Sequence, residues 1–237
     1  MNIFLLGDVP NDLVSFTFFI GTMAMMAASV FFFLSLDAGG GKWRTSMLVS
    51  GLITFIAAVH YYYMRDANVS GADVTFFRYV DWILTVPLMC VEFYLILAKA
   101  GATKKLMWQL IGLSTVMLVA GYIGETGDSP VLWGTISGIA YFIMVGMLWL
   151  GSPKALAEKA GGSVLEAYNA LCWFILVGWS IYPIGYMIGT DGWYDFVDAI
   201  PLDMDVVYNI GDAINKIGFG LVIYNFCLLY TSPSPRD

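Results

Sequence analysis

Seven apolar runs, each long enough to cross a hydrocarbon layer about 30 Å thick, leave this chain almost no choice of architecture. They fall near residues 13–35, 46–64, 76–98, 106–124, 131–150, 168–189 and 206–230, and are labelled here spans A to G. Seven spans of about 20 residues with short connections use up the 237 residues and leave no soluble domain. Only 12% of the residues are charged, about half the roughly 25% of a soluble domain, whereas 59% are hydrophobic. That composition excludes a soluble enzyme, a disordered chain and a coiled coil, and no enzymatic activity is expected. A net charge of −7 with no basic block argues against nucleic acid as a partner. The expected fold class is an all-α membrane protein, a seven-transmembrane-helix bundle whose partner is the lipid bilayer.

The connections orient the bundle. Lys42 and Arg44 follow span A, Lys99, Lys104 and Lys105 follow span C, and Lys154 and Lys159 follow span E; among the basic connection residues only Arg65 lies elsewhere. The positive-inside rule places those loops in the cytoplasm. The opposite connections carry Asp66 and Asp73, then Glu125 and Asp128, then Asp191, Asp195, Asp198, Asp203 and Asp205, so the N-terminus is expected outside and the C-terminus in the cytoplasm. Asp128-Ser129-Pro130 predicts a helix start with a capping side chain, and Gly39-Gly40-Gly41 a flexible connection. The opening residues lack a basic start, so no cleaved signal peptide is expected. Residues 1–230 form one domain, and 231–237, TSPSPRD, read as a disordered tail or an assembly scar. Cys90, Cys172 and Cys227 lie in apolar stretches without a CxxC pair, which predicts no disulfide framework and no metal site.

Arg78, Asp81, Glu92, Asp212 and Lys216 sit inside spans C and G. Each opposes insertion by about 2.5–3.5 kcal/mol at a helix centre, so such residues are kept for pairing or function. On span C, Arg78 stands three residues before Asp81, Thr85 four after and Glu92 eleven after, which puts all four on one helix face. Glu92 then lies about 16 Å from Asp81 along the axis, towards the cytoplasm. On span G, Asp212 and Lys216 are one turn apart. A lysine there is deprotonated by desolvation, paired with Asp212, or consumed in a covalent Schiff base, the role that lysine's readily shifted ionisation suits. A plain intrahelical ion pair is the structural alternative. With a protonated Schiff base, the charges of Arg78, Asp81 and Asp212 make a neutral centre. Glu92, alone among Leu, Ile and Phe, is expected to be a neutral acid, and a neutral acid on one side of an ionised one suits directional proton transfer.

The strings RYVDWILTVP in span C, WSIYP in span F and DAINK in span G resemble the microbial rhodopsins, seven-helix proteins that carry all-trans retinal on a lysine of the last helix. Within that family FRYVDWILTVPLMCVEFYLIL, with VHYYYMR on span B, is most similar to the proteorhodopsins. The resemblance implies that Lys216 bears retinal, that Asp81 is proton acceptor and first counterion, that Asp212 is the second, and that Glu92 is the cytoplasmic donor. It further implies a counterion network of Arg78, Thr85, Tyr61, Tyr182 and His60, with His60 paired to Asp81. A retinal pocket of Trp82, Met89, Met117, Gly121, Ser137, Trp179, Pro183 and Tyr186 is implied, with Pro183 kinking its helix, and a homo-oligomer in a bacterial or archaeal inner membrane is expected. Two departures are noted: Tyr186 stands where many relatives have Trp, and Asn215 precedes the lysine as in proteorhodopsins but not in bacteriorhodopsin. Aromatic residues at helical spacing are ordinarily core, and it is the motif match that marks these as pocket.

The implied activity is a light-driven outward proton pump. A retinal photosensor typically lacks a carboxyl donor, which Glu92 supplies. Sodium pumps carry Asn, Asp and Gln at the positions of Asp81, Thr85 and Glu92, chloride pumps replace the acceptor, and a retinal-free seven-helix transporter has no need of Asp81, Asp212 and Lys216 together. Met89 faces the polyene where a nonpolar residue resembles green absorbers and Gln blue ones, so a green type is expected. Ser137 matches a pocket serine, which puts Gly134 of span E where bacteriorhodopsin has a bulky Trp beside the retinal ring. A glycine there is either close packing or, as in xanthorhodopsin, a window that admits a hydroxylated carotenoid antenna.

Overall fold

Asp12 starts the first helix: its carboxylate accepts from the backbone N–H of Ser15 at 2.7 Å and from the Ser15 hydroxyl at 2.8 Å. The computed structural model describes residues 12–190 and 203–231. Its helices are α1 (Leu13–Leu34), α2 (Arg44–Val69), α3 (Thr75–Leu97), α4 (Lys104–Thr126), α5 (Pro130–Leu150), α6 (Ser152–Ala160), α7 (Gly162–Leu176), α8 (Ile181–Ile188) and α9 (Met204–Thr231). α5 runs on into α6, and α7 into α8, so seven helices are long and apolar enough to cross a membrane. Among the described residues there is no strand. The tail 232–237 and the acidic residues Asp191, Asp195 and Asp198 lie outside the described residues.

The helices extend past the apolar runs. α2 reaches Val69, so Arg65 and Asp66 belong to a helix rather than a connection, and the Arg65 guanidinium lies over the Phe19 ring at 5.6 Å. The span F helix starts at Gly162, six residues before its apolar run. Polar last turns reach into the interface, where charged heads find water while their stems stay apolar. The Ala38–Gly41 connection is an ordered 3₁₀ turn whose three glycines take φ of 61°, 68° and 73°, a region open to glycine at little cost. At the start of α5 the expected cap fails: Pro130 occupies the first turn, but the Ser129 side chain makes no capping bond.

Successive helices pack as antiparallel neighbours, and α9 closes the bundle against α1, α2 and α7. Large apolar side chains turn outward, Leu150 at 89% and Phe142 at 67% exposure, as lipid contact requires. Arg78, Asp81, Thr85 and Glu92 of α3 and Asn209, Asp212, Asn215 and Lys216 of α9 turn inward. All three cysteines are buried, and none of them is in a disulfide with a described residue.

The Ser15 donors hold the exposed Asp12 carboxyl below the usual carboxylate range, the backbone N–H contributing most. The cap is therefore present above the ordinary aspartate range and is lost as pH falls through the depressed value. Asp12→Ala should speed amide hydrogen exchange in the first turn of α1 and leave the rest of the helix unchanged. Lowering the pH should reduce the protection of the same amides, relative to their intrinsic exchange rates, in the parent chain.

Candidate functional site

The inward faces of α3 and α9 meet at Lys216. Its ammonium is 2% exposed and donates to Asp81 Oδ2 at 2.6 Å and to Asp212 Oδ2 at 2.5 Å. The two carboxylates are not equivalent. Asp212 Oδ1 also accepts from the Tyr182 hydroxyl at 2.8 Å, whereas Asp81 Oδ1 has no partner. Thr85 donates to the backbone carbonyl of Asp81 at 2.9 Å and so ties the turn that carries the carboxylate. The four residues expected on one face of α3, Arg78, Asp81, Thr85 and Glu92, are buried, and so is Met89. Glu92 is fully enclosed and neither of its oxygens has a hydrogen-bond partner.

Two expected members of the network make their close polar contacts elsewhere. The His60 ring nitrogen Nδ1 lies 2.8 Å from the carbonyl of Ile56 on its own helix; His60 makes no hydrogen bond to Asp81 but lies close enough to act on its charge. A carbonyl one turn back is the nearest strong acceptor for an imidazole in a helix, which is why the local bond wins. Arg78 pairs through Nη2 with Asp205 Oδ1 at 2.7 Å and stacks over the Tyr208 ring at 5.0 Å, turning away from Asp81. The centre therefore combines two cations with three carboxylates rather than the neutral four-charge set expected. Asp205, read from the sequence only as an acid of the outer connection, lies seven residues, two turns, before Asp212 on the same helix face. Tyr61 donates to the Tyr208 carbonyl at 3.4 Å and lies close enough to both aspartates to feel their charge.

Beside the triad an apolar cavity of about 520 Å³ runs between α3, α4, α5 and α8. Trp82, Met117, Gly121, Ser137, Trp179, Tyr182, Pro183 and Tyr186 all line it, and so does Gly134. Met89 is 1% exposed but does not border the cavity. Trp82 packs edge-on against Tyr182 at 4.7 Å, so the aromatic wall touches the ring that holds Asp212. A Cβ on Gly121 would come within 3.0 Å of the Tyr79 hydroxyl, which donates to Glu125 at 2.8 Å. The Ser137 hydroxyl donates to the Met117 carbonyl at 2.7 Å and fixes α5 to α4. Among the described residues no cluster of His, Cys, Asp or Glu could hold a metal.

The wall depends on a break in the sixth span. The helix gives way to a 3₁₀ turn at Gly178–Ser180, one turn before Pro183 rather than at the proline, because the proline ring and its missing N–H disrupt the preceding turn. Side chains meet four carbonyls at the break: Tyr141 lies 2.9 Å from those of Ile175 and Leu176, Ser180 donates to Val177, and Asn215 donates to Gly178 at 2.9 Å. In hydrocarbon, where water cannot serve, this repair is obligatory. Gly178 has no side chain because Asn215 fills the space a Cβ would take. Thus the residue next to Lys216 in sequence is pinned by the break that shapes the cavity. Neither Tyr141 nor the Gly178–Asn215 contact carried a sequence signal.

The sequence profile described as bacteriorhodopsin-like protein matches residues 12–229. The chain belongs to the bacteriorhodopsin-like family. It is 44% identical over 234 residues to the blue-light absorbing proteorhodopsin of Gamma-proteobacterium Hot 75m4, covering 95% of this chain and 91% of that one. With the green-light absorbing proteorhodopsin of Gamma-proteobacterium EBAC31A08 it shares 42% identity over 233 residues, with the same coverage. The crystallographic structure of xanthorhodopsin, described as a light-driven ion pump with dual chromophore, superposes with a TM-score of 0.79 at 30% identity, covering 92% of this chain and 94% of that one. This family member is a multi-pass protein of the cell membrane.

The Gly178–Asn215 contact is testable. Asn215→Ala leaves a buried carbonyl unpaired, a loss of about 1–3 kcal/mol. Gly178→Ala destabilises through the clash with the amide. The double variant removes the clash, so thermal unfolding should show the two changes to be less than additive.

Proposed function

We propose that this chain is a light-driven outward proton pump with all-trans retinal bound as a protonated Schiff base on Lys216. Retinal supplies the light-driven change of shape at the lysine nitrogen, and the rest of the transfer belongs to the chain. The aromatic cavity beside the triad, with a glycine and a broken helix making room, fits such a group.

The observation that carries this reading is the unequal setting of Asp81 and Asp212. Two donors, Tyr182 and Lys216, stabilise the charge on Asp212, whereas Asp81 has one donor and one free oxygen. Asp81 is therefore the carboxylate that takes a proton from the lysine nitrogen, already within 2.6 Å. Glu92, enclosed and unpartnered, suits a neutral acid that returns one from the basic end of the bundle. On the other side, the Arg78–Asp205 pair marks the exit, with the Asp205 side chain 37% exposed. With the basic loops in the cytoplasm, Glu92 lies inside and Asp205 outside, so the net movement is outward. The green reading rests on the residue type at position 89, a thioether that donates no hydrogen bond, since Met89 does not border the cavity.

The cavity also supports a second pigment. It continues from Trp179 past Gly134 and Gly138 to the outward-facing Ile139, Phe142 and Ile184, so the buried pocket opens on the lipid side between α5 and α8. A Cβ on Gly138 would touch nothing within 4 Å. A hydroxylated carotenoid lying in this opening would reach the retinal ring.

Illuminated cells making the protein with added retinal should acidify their medium, and a protonophore should abolish the signal; alkalinisation would overturn the direction. Lys216→Ala should lose both colour and acidification, and Asp81→Asn should keep a red-shifted colour without pumping. Glu92→Gln should slow the late recovery in flash photolysis on the order of 10²-fold while sparing the first transfer. Met89→Gln should move absorption to the blue, and an unmoved or red-shifted band would count against the tuning role. Purified protein mixed with a hydroxylated carotenoid should show a carotenoid band in the retinal excitation spectrum, and Gly134→Trp should remove it.

A further inference from the structure

Arg78 stands between two carboxylates. Asp81 follows it by three residues on α3, a spacing at which side chains are neighbours, and Asp205 lies in the first turn of α9. Asp81 Oδ1 is buried and open, yet the Arg78 guanidinium, 5% exposed, donates to Asp205 Oδ1 at 2.7 Å. Among the described residues no ion pair joins Arg78 to Asp81.

The start of α9 is built to hold the arginine there. Asp203 Oδ1 accepts from the backbone N–H groups of Asp205 at 3.0 Å and of Val206 at 3.4 Å, which caps the helix, and a carboxylate in the first turn suits its positive end. One turn on, the Tyr208 ring lies under the guanidinium at 5.0 Å. That ring is itself fixed: it stacks on Tyr182 at 5.9 Å, its hydroxyl donates to the Tyr182 carbonyl at 3.3 Å, and the Tyr208 carbonyl accepts from Tyr61 at 3.4 Å. Asp205 and Tyr208 thus form a clamp on one face of α9 that keeps the guanidinium from Asp81. Tyr182 also donates to Asp212, so the clamp and the lysine triad share a wall.

We propose that Asp205 is a positioning residue for the proton transfer: by holding Arg78 outward it keeps the second oxygen of Asp81 open and sets how firmly Asp81 holds a proton. This rests on the pump reading above, in which Asp81 receives the proton of the lysine nitrogen. A guanidinium bonded to Asp81 would stabilise its anion and make it a poorer acceptor. Without the Asp205 charge the guanidinium is a buried cation lacking its partner, and the open oxygen of Asp81 lies one turn along its own helix. Loss of a negative charge and approach of a positive one act on Asp81 in the same sense, so the sign of the change is fixed. The other groups that act on Asp81 stay in place: His60 and Tyr61 of α2, Tyr182 of α8, and Asp212 and Lys216 of α9. Further out, Glu125 of α4, bonded to Tyr79, lies within reach of the charges of Arg78, Asp205 and Asp73.

With retinal bound, the colour of the protein in the dark reports the state of Asp81. Acidification should move the band to the red as Asp81 takes a proton, and Asp81→Asn, red-shifted throughout, should show no such transition. Asp205→Asn should lower the midpoint of that transition by about 1–3 pH units, the effect of an opposite charge brought beside a carboxylate. Asp205→Ser removes the same charge with a different side chain and should lower it too, whereas Asp205→Glu keeps the charge and should stay near the parent. With Arg78→Gln in place, Asp205→Asn should move the midpoint by less than about half as much, because the group through which it acts is gone. A parent without a visible band overturns the pump reading and this inference with it. A parent band whose midpoint both uncharged variants leave in place or raise, or a shift of equal size with and without Arg78, overturns this inference alone.

Discussion

A lysine enclosed in hydrocarbon-facing helices must have its charge answered at close range, and the bundle is organised around that answer. Lys216 lies between Asp81 of α3 and Asp212 of its own helix, with all three side chains almost fully buried. Removing the lysine would leave two carboxylates facing each other where water cannot reach them, a far larger loss than a surface pair could cause. The triad therefore dictates how α3 and α9 face each other. It also dictates that the remaining lone pairs be few: Tyr182 takes one on Asp212, and one oxygen of Asp81 stays open.

The same scarcity of water governs the sixth span. A wall of flat rings beside the lysine requires the helix to yield, and yielding releases carbonyl groups that no solvent can meet. Tyr141 from α5, Ser180 locally and Asn215 from α9 meet them. Asn215 thereby couples the cavity wall to the lysine beside it, and Gly178 is the residue that lets it approach. Cavity shape and lysine position are one mechanical unit.

Along α3 the charges are graded. An ion pair with a partly exposed carboxylate lies at one end, a half-open carboxylate in the middle, and an enclosed, unpartnered acid towards the other. Such a series gives a proton different partners on its two sides, so that a disturbance at the centre can have a direction.

Seven spans, their alternating loop charges and the shared face of Arg78, Asp81, Thr85 and Glu92 were legible in the sequence, because hydrophobic length and helical period are local properties. The Asp212–Lys216 spacing was legible for the same reason. Which group each charge would meet was not. Arg78 reaches Asp205, 127 positions away, and His60 settles on its own Ile56 carbonyl, since partner choice depends on side-chain reach and on which acceptors the packing brings near. The difference between Asp81 and Asp212 likewise rests on Tyr182 arriving from another helix. Periodicity says which way a residue faces; only the tertiary arrangement decides what stands opposite it, because a hydrogen bond is won or lost over a few tenths of an ångström.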